Sequence, residues 1–374
     1  MTSIPALFIS PLNALKEGGG GVQVCTREYR NVLTEAGFDI KIVSLDLSLS
    51  PIQRVQRRLF PRIGEREARL QVSKTILRAI EEHKPAFIFY NFNVFVNVLM
   101  GVRDAFPLIP QVLLSLGLES TDFRISQQIN RQSSSENRIR GRAERMLNRH
   151  LTEEREQRAL LDAVITLSPL EVELEKSLGA RRVTWLPGTV TGLPLDHKPV
   201  EGRVGCVSTL DHPPNWDGLV RLCHALVSRR PPELRLRLVG QPAPKGYALS
   251  QRYSFVEYLG PLEDAPLRDE ASTWCCFVHP LFVTAKGRST KLGVALGWGI
   301  PIATTEVGVR GYDWVKEKLP LFETPEELAK ATIERSKLES FGLYRDQTIA
   351  IVRQTPSLEV TAAKVSEFLS GLVV

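Results

Sequence analysis

Cysteine is scarce and poorly spaced for chemistry. The 374 residues include five cysteines, an odd number, with no C-x-x-C pair. Neither a disulfide framework nor a zinc site is expected. Cys275 and Cys276 are adjacent in an apolar run and read as buried strand residues of a reducing cytoplasm. Long hydrophobic runs are missing too. The most apolar window, 85–102, is interrupted by Asn91, Asn93 and Asn97, so no transmembrane helix is expected. The opening "MTSIPALFIS" lacks a basic n-region and a small-residue cleavage site. It reads as a first strand rather than a signal peptide. Aromatics are nearly absent from the basic stretches, which match no recognition motif. That argues against nucleic acid as a partner.

What is present is an ordinary globular balance, 43% apolar and 24% charged, with length for two or three domains. The net charge of +6 is unevenly placed. Segment 52–80 holds eight Lys/Arg against two acids, and segment 124–158 holds nine Arg against five. Together they carry +10, which leaves the remainder at −4. These segments suit an anionic membrane face or an acidic partner, or form a pair of solvated helices.

The chain alternates apolar runs with helical periodicity. "ALFIS" reads as a buried strand, "EGGGG" as a loop, and Cys25, Tyr29, Val32, Leu33 and Ala36 recur at helical spacing. Gly37 closes that helix, and "FDIKIVSLD" alternates as the next strand. This is a βαβ unit opening a parallel sheet. Further strands are expected at "AFIFYN", "QVLLSLG", "AVITLS" and "VTWLP", with an Arg-rich helical segment over 121–160. "LPGTVTGLPLDHKPVEG" reads as a linker. A second series follows: "GRVGCVSTL", "LRLRLVG", "FVEYLG", "WCCFVHP" and "IPIATT" as strands, with "PPNWDGLVRLCHALVSR" as a helix. The expected class is α/β, two Rossmann-like doubly wound domains. The first spans 1–190 and the second 200–355. Residues 356–374 form a C-terminal helix able to pack back on the N-terminal domain.

The most informative stretch is "AKGRSTKLGVALGWGIPIATTEVGVRGY", Ala285 to Tyr312. It reads as loop, helix and strand, with Arg288 and Lys291 at the helix mouth. The partial positive charge of a helix N-terminus repels cations, so two of them there call for a bound anion. Arg288 can fork onto two phosphate oxygens, and Lys291 can act as a point charge. Ser289 is placed as N-cap, Thr290 adds a hydroxyl, and Gly287 allows close backbone approach. Both cations read as exposed.

Taken in order, "LTEAGFDIKIVS", "DAVITLSPLEVELEKSLGARRVTWLPGTV", "PPNWDGL" and "VEYLGPLED…GVRGY" resemble the GT-B-fold glycosyltransferases, and among them family four. The resemblance covers nearly the whole chain. It implies two Rossmann-like domains facing a central cleft, with the first binding the acceptor and the second a nucleoside-diphosphate sugar. It implies a cytoplasmic enzyme, at the inner membrane face if its acceptor is lipid-linked. The sugar nucleotide is then a co-substrate, and no metal or other cofactor is expected. The resemblance also makes Gly18, Gly19, Gly20 and Gly21 a loop over the cleft. His279, Asp211, Pro261, Leu262 and Val294 become possible donor contacts.

The chain departs from the family pattern at two glutamates eight positions apart. Lys286 and Val294 occupy those positions. Candidate acids for proton transfer are Glu119 and Asp122, read in a loop after a strand. His279 either touches the donor or is a hydrogen-bonded structural residue, and Asn215 reads as a helix N-cap. Two other readings remain beside a transferase: a non-catalytic nucleotide-binding or partner subunit, and a sugar-nucleotide 2-epimerase.

Overall fold

The computed structural model describes residues 3–18, 20–45, 61–92, 95–131 and 138–372. The chain divides into two compact units, one of Met1–Leu118, Arg145–Leu186 and Ser357–Val374, the other of Glu119–Glu144 and Pro187–Pro356.

The first unit carries a parallel sheet of six strands: β1 (Ile4–Pro11), β2 (Phe38–Leu45), β3 (Phe87–Asn91), β4 (Gln111–Leu114), β5 (Ala163–Thr166) and β6 (Val183–Trp185). Their spatial order is β2-β1-β3-β4-β5-β6. Strands β3, β4 and β5 are buried along their full length, whereas in β2, at the edge, only Phe38 is buried. Continuous apolar runs in the first group follow from helices covering both faces. One face packs Phe8, Phe87 and Phe89 with Tyr29 and Leu33, and the other packs Leu7 and Ile88 with Ile76, Ile80 and Leu99. The C-terminal helix Leu358–Ser370 packs on helix Gly21–Glu35 within this unit. Arg182 donates to the carbonyls of Phe368 and Gly371, near its end.

The second unit carries five parallel strands: β7 (Arg203–Thr209), β8 (Arg235–Gln241), β9 (Val256–Gly260), β10 (Cys276–His279) and β11 (Ile302–Thr304). Their order is β11-β10-β7-β8-β9. The chain builds outward from β7 to β9, then returns to the other side of β7 for β10 and β11. The direction of winding therefore reverses between β7 and β10. A reversal of this kind splays the connections apart and opens a crevice at the carboxyl ends of the two strands. The same reversal lies between β1 and β3 in the first unit.

Segment 119–144, which the sequence groups with residues 1–190, clusters with the second unit. The cause is its helix Glu119–Arg131, which packs on helix Pro213–Val227. The expected linker, 186–202, is from Pro187 onward likewise tied into this unit. Leu193 and Leu195 amides bond to carbonyls of Gly297 and Trp298. The expected helical segment 121–160 divides into helices Glu119–Arg131 and Arg138–Leu160. Of the basic segment 52–80, residues 52–60 lie outside the described residues. All five cysteines are buried free thiols. Among the described residues no helix is long and apolar enough to cross a membrane.

Candidate functional site

The second unit's candidate site begins where β10 ends. "CFVH" is wholly buried, and Pro280 stops the strand after His279. Ten residues later the helix Thr290–Trp298 starts. Gly299, at φ 71°, terminates it in the left-handed conformation that glycine accepts without steric cost. The helix mouth thus stands beside the carboxyl ends of β10 and β7, at the winding reversal.

Arg288 is buried, with 6% of its surface exposed. This corrects the expectation of an exposed cation. Its guanidinium lies 5.5 Å from the centre of the buried Tyr312 ring. Gly188 closes the other side. A Cβ there would come within 2.5 Å of the Tyr312 ring and 2.8 Å of Arg288 Cδ. Only a glycine lets the Arg288 stem lie flat in that slot. Lys291 is half-buried, the second residue of the helix. Burial pushes its ammonium down to about 8, and the charge of Arg310 adds to the effect against an opposing contribution from Cys206.

Arg310 is a further site residue, one the sequence does not single out. It follows the turn Val307–Val309 after β11 and bears electrostatically on Lys291, His279 and Asp122. Three cations therefore gather here: Arg288, Lys291 and Arg310. The sequence signal was "VGVRGY", at the end of the stretch that drew attention to the other two. Gly287, at φ 65°, adopts the left-handed backbone expected of a loop in close approach.

Ser289 is the N-cap by position, but its hydroxyl makes no cap bond. Its Oγ lies 2.6 Å from His279 Nε2. Burial, with Lys291 and Arg310 nearby, holds His279 well below the usual imidazole range, so the ring is neutral at pH 7. Thr290, half-buried, is the first residue of the helix.

Lys286 precedes this group. Its Nζ lies 2.5 Å from Glu119 Oε1 and 3.9 Å from Asp122 Oδ2. Asp122 Oδ1 is also 3.1 Å from His212 Nε2. The lysine that stands where the resemblance places a glutamate is thus matched by two acids from another helix. Those acids are not in a loop, as expected, but in the first turn of helix Glu119–Arg131. Negative side chains there complement the helix dipole. Burial alone raises the Asp122 carboxyl, but its bond to His212 and the charges of Lys286 and Arg310 outweigh that and hold it below its ordinary value. A carboxylate so stabilised is a weak proton acceptor.

The remaining candidates lie apart from the three cations. Asp211 is largely exposed and pairs with Lys245 at 3.2 Å. Pro261 and Leu262 follow β9, three strand spacings from β10, or roughly 14 Å. Leu262 packs on the apolar core. Asn215 is the third residue of its helix rather than the cap, which is His212. Its Nδ2 donates instead to the Thr209 carbonyl at 3.1 Å. Val294 is exposed at 38% on the helix surface. Gly293 abuts the Tyr312 hydroxyl, and a Cβ at Gly297 would come within 2.6 Å of the Thr191 carbonyl. The face carrying these two glycines packs against Tyr312 and a loop.

In the first unit, the glycine run follows β1 at the β1/β3 reversal. Gly18, at φ 152°, offers its carbonyl to Arg27 Nη1 at 3.0 Å. Gly20 is the N-cap of helix Gly21–Glu35, and Gly19 lies outside the described residues. Beneath the run, Asn91 Nδ2 donates to Ser10 Oγ and Thr26 Oγ1, each at 2.9 Å.

No family model and no curated protein matches the chain in sequence. Solved structures do match in fold. Sucrose-phosphate synthase from Thermosynechococcus elongatus superposes with a TM-score of 0.66 at 16% identity, over 99% of each chain. A glycosyltransferase from Rickettsia africae gives 0.63 at 11% identity, over 100% of this chain and 99% of that one. Thermobaculum terrenum O-GlcNAc transferase gives 0.61 at 14% identity, over 100% of this chain and 68% of that one. The chain has the fold of these proteins, two Rossmann-like domains of the GT-B class.

Proposed function

We propose that the protein is a glycosyltransferase. It draws its sugar from a nucleoside-diphosphate donor and holds the diphosphate at the mouth of helix Thr290–Trp298. The observation that carries this reading is the gathering of Arg288, Lys291 and Arg310 at that mouth, at the winding reversal of the second sheet. Helix amides and fixed cations are complementary to phosphate oxygens. The fold is one on which solved glycosyltransferases are built.

Each group has a role in this reading. As the bond to the anomeric carbon breaks, negative charge grows on the leaving diphosphate. Cations already in place stabilise that charge without reorganising. Arg288 is held by Tyr312 and Gly188, so little side-chain freedom is lost on binding. Lys291, its pKa lowered to about 8, still carries its proton at pH 7 and holds it more firmly against a bound anion. Glu119 and Asp122 act through Lys286, which they neutralise, rather than as a base. No metal or other cofactor enters the reading.

The test is a panel of sugar nucleotides incubated with the protein, with release of nucleoside diphosphate measured. Slow donor hydrolysis supports the reading. Binding without release assigns a nucleotide-binding subunit instead, and no binding across the panel removes the donor site.

The acceptor in this reading is a glycan, free or lipid-linked, with the protein on the cytoplasmic face of a membrane. Segments 52–80 and 124–158 carry net charges of +6 and +4. Each basic side chain near an anionic surface contributes about 1 kcal/mol within a Debye length. Sedimentation with anionic vesicles should show binding that fades at high salt. Equal behaviour with neutral vesicles returns both segments to solvated helices.

A further inference from the structure

A serine at an N-cap ordinarily bonds the amide of the second or third helical residue. Ser289 does not. The Leu292 and Gly293 amides go to its carbonyl, and its hydroxyl turns to His279. Both residues are buried, and this is the only side-chain hydrogen bond of Ser289 among the described residues. The His279 ring has little freedom. It stacks on Phe277 with centroids 6.3 Å apart, and a Cβ at Gly308 would come within 3.2 Å of its Cδ2. Its strand pairs with β11, where Thr304 Oγ1 donates to the His279 carbonyl at 3.0 Å.

A neutral imidazole carries one N–H, so the bond between the two side chains can run either way. If Ser289 donates, its oxygen shows only lone pairs to the helix mouth. Lone pairs beside a phosphate oxygen repel it. If His279 donates from Nε2, the Ser289 proton is released to point outward as a donor. With Arg288, Lys291 and Arg310 drawing an anion to this place, the second arrangement gains a hydrogen bond to a charged acceptor, among the stronger kinds.

We infer that His279 is a positioning residue for the diphosphate. In the anion-bound protein its Nε2 carries the proton and donates to Ser289 Oγ, and the Ser289 hydroxyl donates to a phosphate oxygen. No net proton is taken up, since the imidazole only exchanges one tautomer for the other. The inference rests on the anion site of the proposed function and adds to it one donor and the group that aims it.

The probe is inorganic pyrophosphate, which needs no knowledge of the base or sugar. Calorimetry on the full chain compares wild type, Ser289→Ala, His279→Leu, His279→Gln and the double variant Ser289→Ala/His279→Leu. Loss of one hydrogen bond to a charged acceptor weakens binding by about ten- to a hundredfold. Ser289→Ala and His279→Leu should lose the same amount, and the double variant no more than either. His279→Gln keeps an N–H near the Nε2 position and should recover part of the loss. Additive losses, or unchanged affinity in a folded Ser289→Ala, overturn the inference while leaving the anion site standing. A wild type that binds no pyrophosphate overturns the site and the inference together. Should the histidine variants not fold, nitrogen-15 chemical shifts of the wild-type ring with pyrophosphate decide the matter. A protonated Nε2 supports the inference, and a bare Nε2 overturns it.

Discussion

Both sheets reverse their winding beside their first strand, at β1/β3 in one unit and β7/β10 in the other, yet the strand ends are finished differently. At the first, Ser10, Thr26 and Asn91 form a small neutral network under a glycine run, its two hydroxyls donating on to the carbonyls of Pro11 and Val22. At the second, Arg288, Lys291 and Arg310 gather around a neutral histidine–serine pair. Topology supplies the crevice in each case. The side chains decide what it can hold: neutral groups offer hydrogen bonds and room, and fixed cations offer counter-charge. This comparison can be broken by removing what distinguishes the second reversal.

The largest effect is expected from Arg288→Ala combined with Lys291→Ala. Each lost charge-assisted contact costs roughly 1.5–3 kcal/mol, so pyrophosphate affinity should fall by at least about a hundredfold. Asn91→Ala at the first reversal should leave that affinity unchanged. Because Arg288 is buried against Tyr312, its truncation also leaves a gap, and a lower melting temperature is expected with it. Calorimetry on a folded double variant showing unchanged affinity would remove the contrast between the reversals.

Lys291 sharpens the contrast because its two roles oppose each other. Its pKa is about 8 in the fold against the ordinary 10.5. A base depressed in this way is disfavoured in its charged form. The destabilisation is present in full below pH 8 and is relieved as pH rises from 8 to 10.5. Lys291→Met should therefore stabilise the protein at pH 7 by up to about 3 kcal/mol while weakening pyrophosphate binding. The stability gain should shrink by pH 10. Wild-type affinity for pyrophosphate should likewise fall once pH passes 8, as the ammonium loses its proton. Denaturant melts at several pH values measure the first effect and calorimetry the second. A variant less stable than wild type at pH 7 would show that Lys291 is a structural cation.

Much of this was legible beforehand, for identifiable reasons. Every strand of both sheets falls on a stretch read as a strand: β3, β4, β5 and β10 as continuous apolar runs covered on both faces, β2 and β8 as alternating ones. The start of helix Thr290–Trp298 is legible from Ser289 and the two cations at its mouth. What could not be read was who meets whom. Lys286 and Glu119 are 167 residues apart in sequence, and nothing local to either announces the pair. Arg288 reads as exposed because arginine usually is. Its burial depends on Gly188 and Tyr312, neither of which is notable alone.

The Lys286 pairing itself predicts a smaller effect. Lys286→Glu would set a third carboxylate beside Glu119 and Asp122. Loss of the pair plus new repulsion should destabilise the second unit by about 1–2 kcal/mol, since the groups are only partly buried. Adding Glu119→Lys should recover roughly half of that, because Asp122 still faces the new glutamate. A swap no better than the single variant would show that Lys286 is held by Asp122 alone.

The smallest effect concerns Val294. The resemblance to family four puts a glutamate there, one that holds the ribose of the donor. In this chain the position is an exposed valine one turn into the helix, with no charged acceptor to offer. The ribose hydroxyls must then bond to backbone, to another side chain or to water. Water competes on equal terms at an exposed position, so little net affinity accrues from them. Binding of a nucleoside diphosphate and of its 2′-deoxy form should differ by under about 1 kcal/mol, less than the usual worth of a hydrogen bond to a charged group. A deoxythymidine donor would then be tolerated. Val294→Glu should open a preference for the ribo form that the wild type lacks. Paired calorimetric titrations of ribo and deoxy diphosphates measure both. A preference of about tenfold or more in the wild type would mean that another side chain has taken over the glutamate's task. The face of the helix carrying Val294 would then not be the one turned to the ribose.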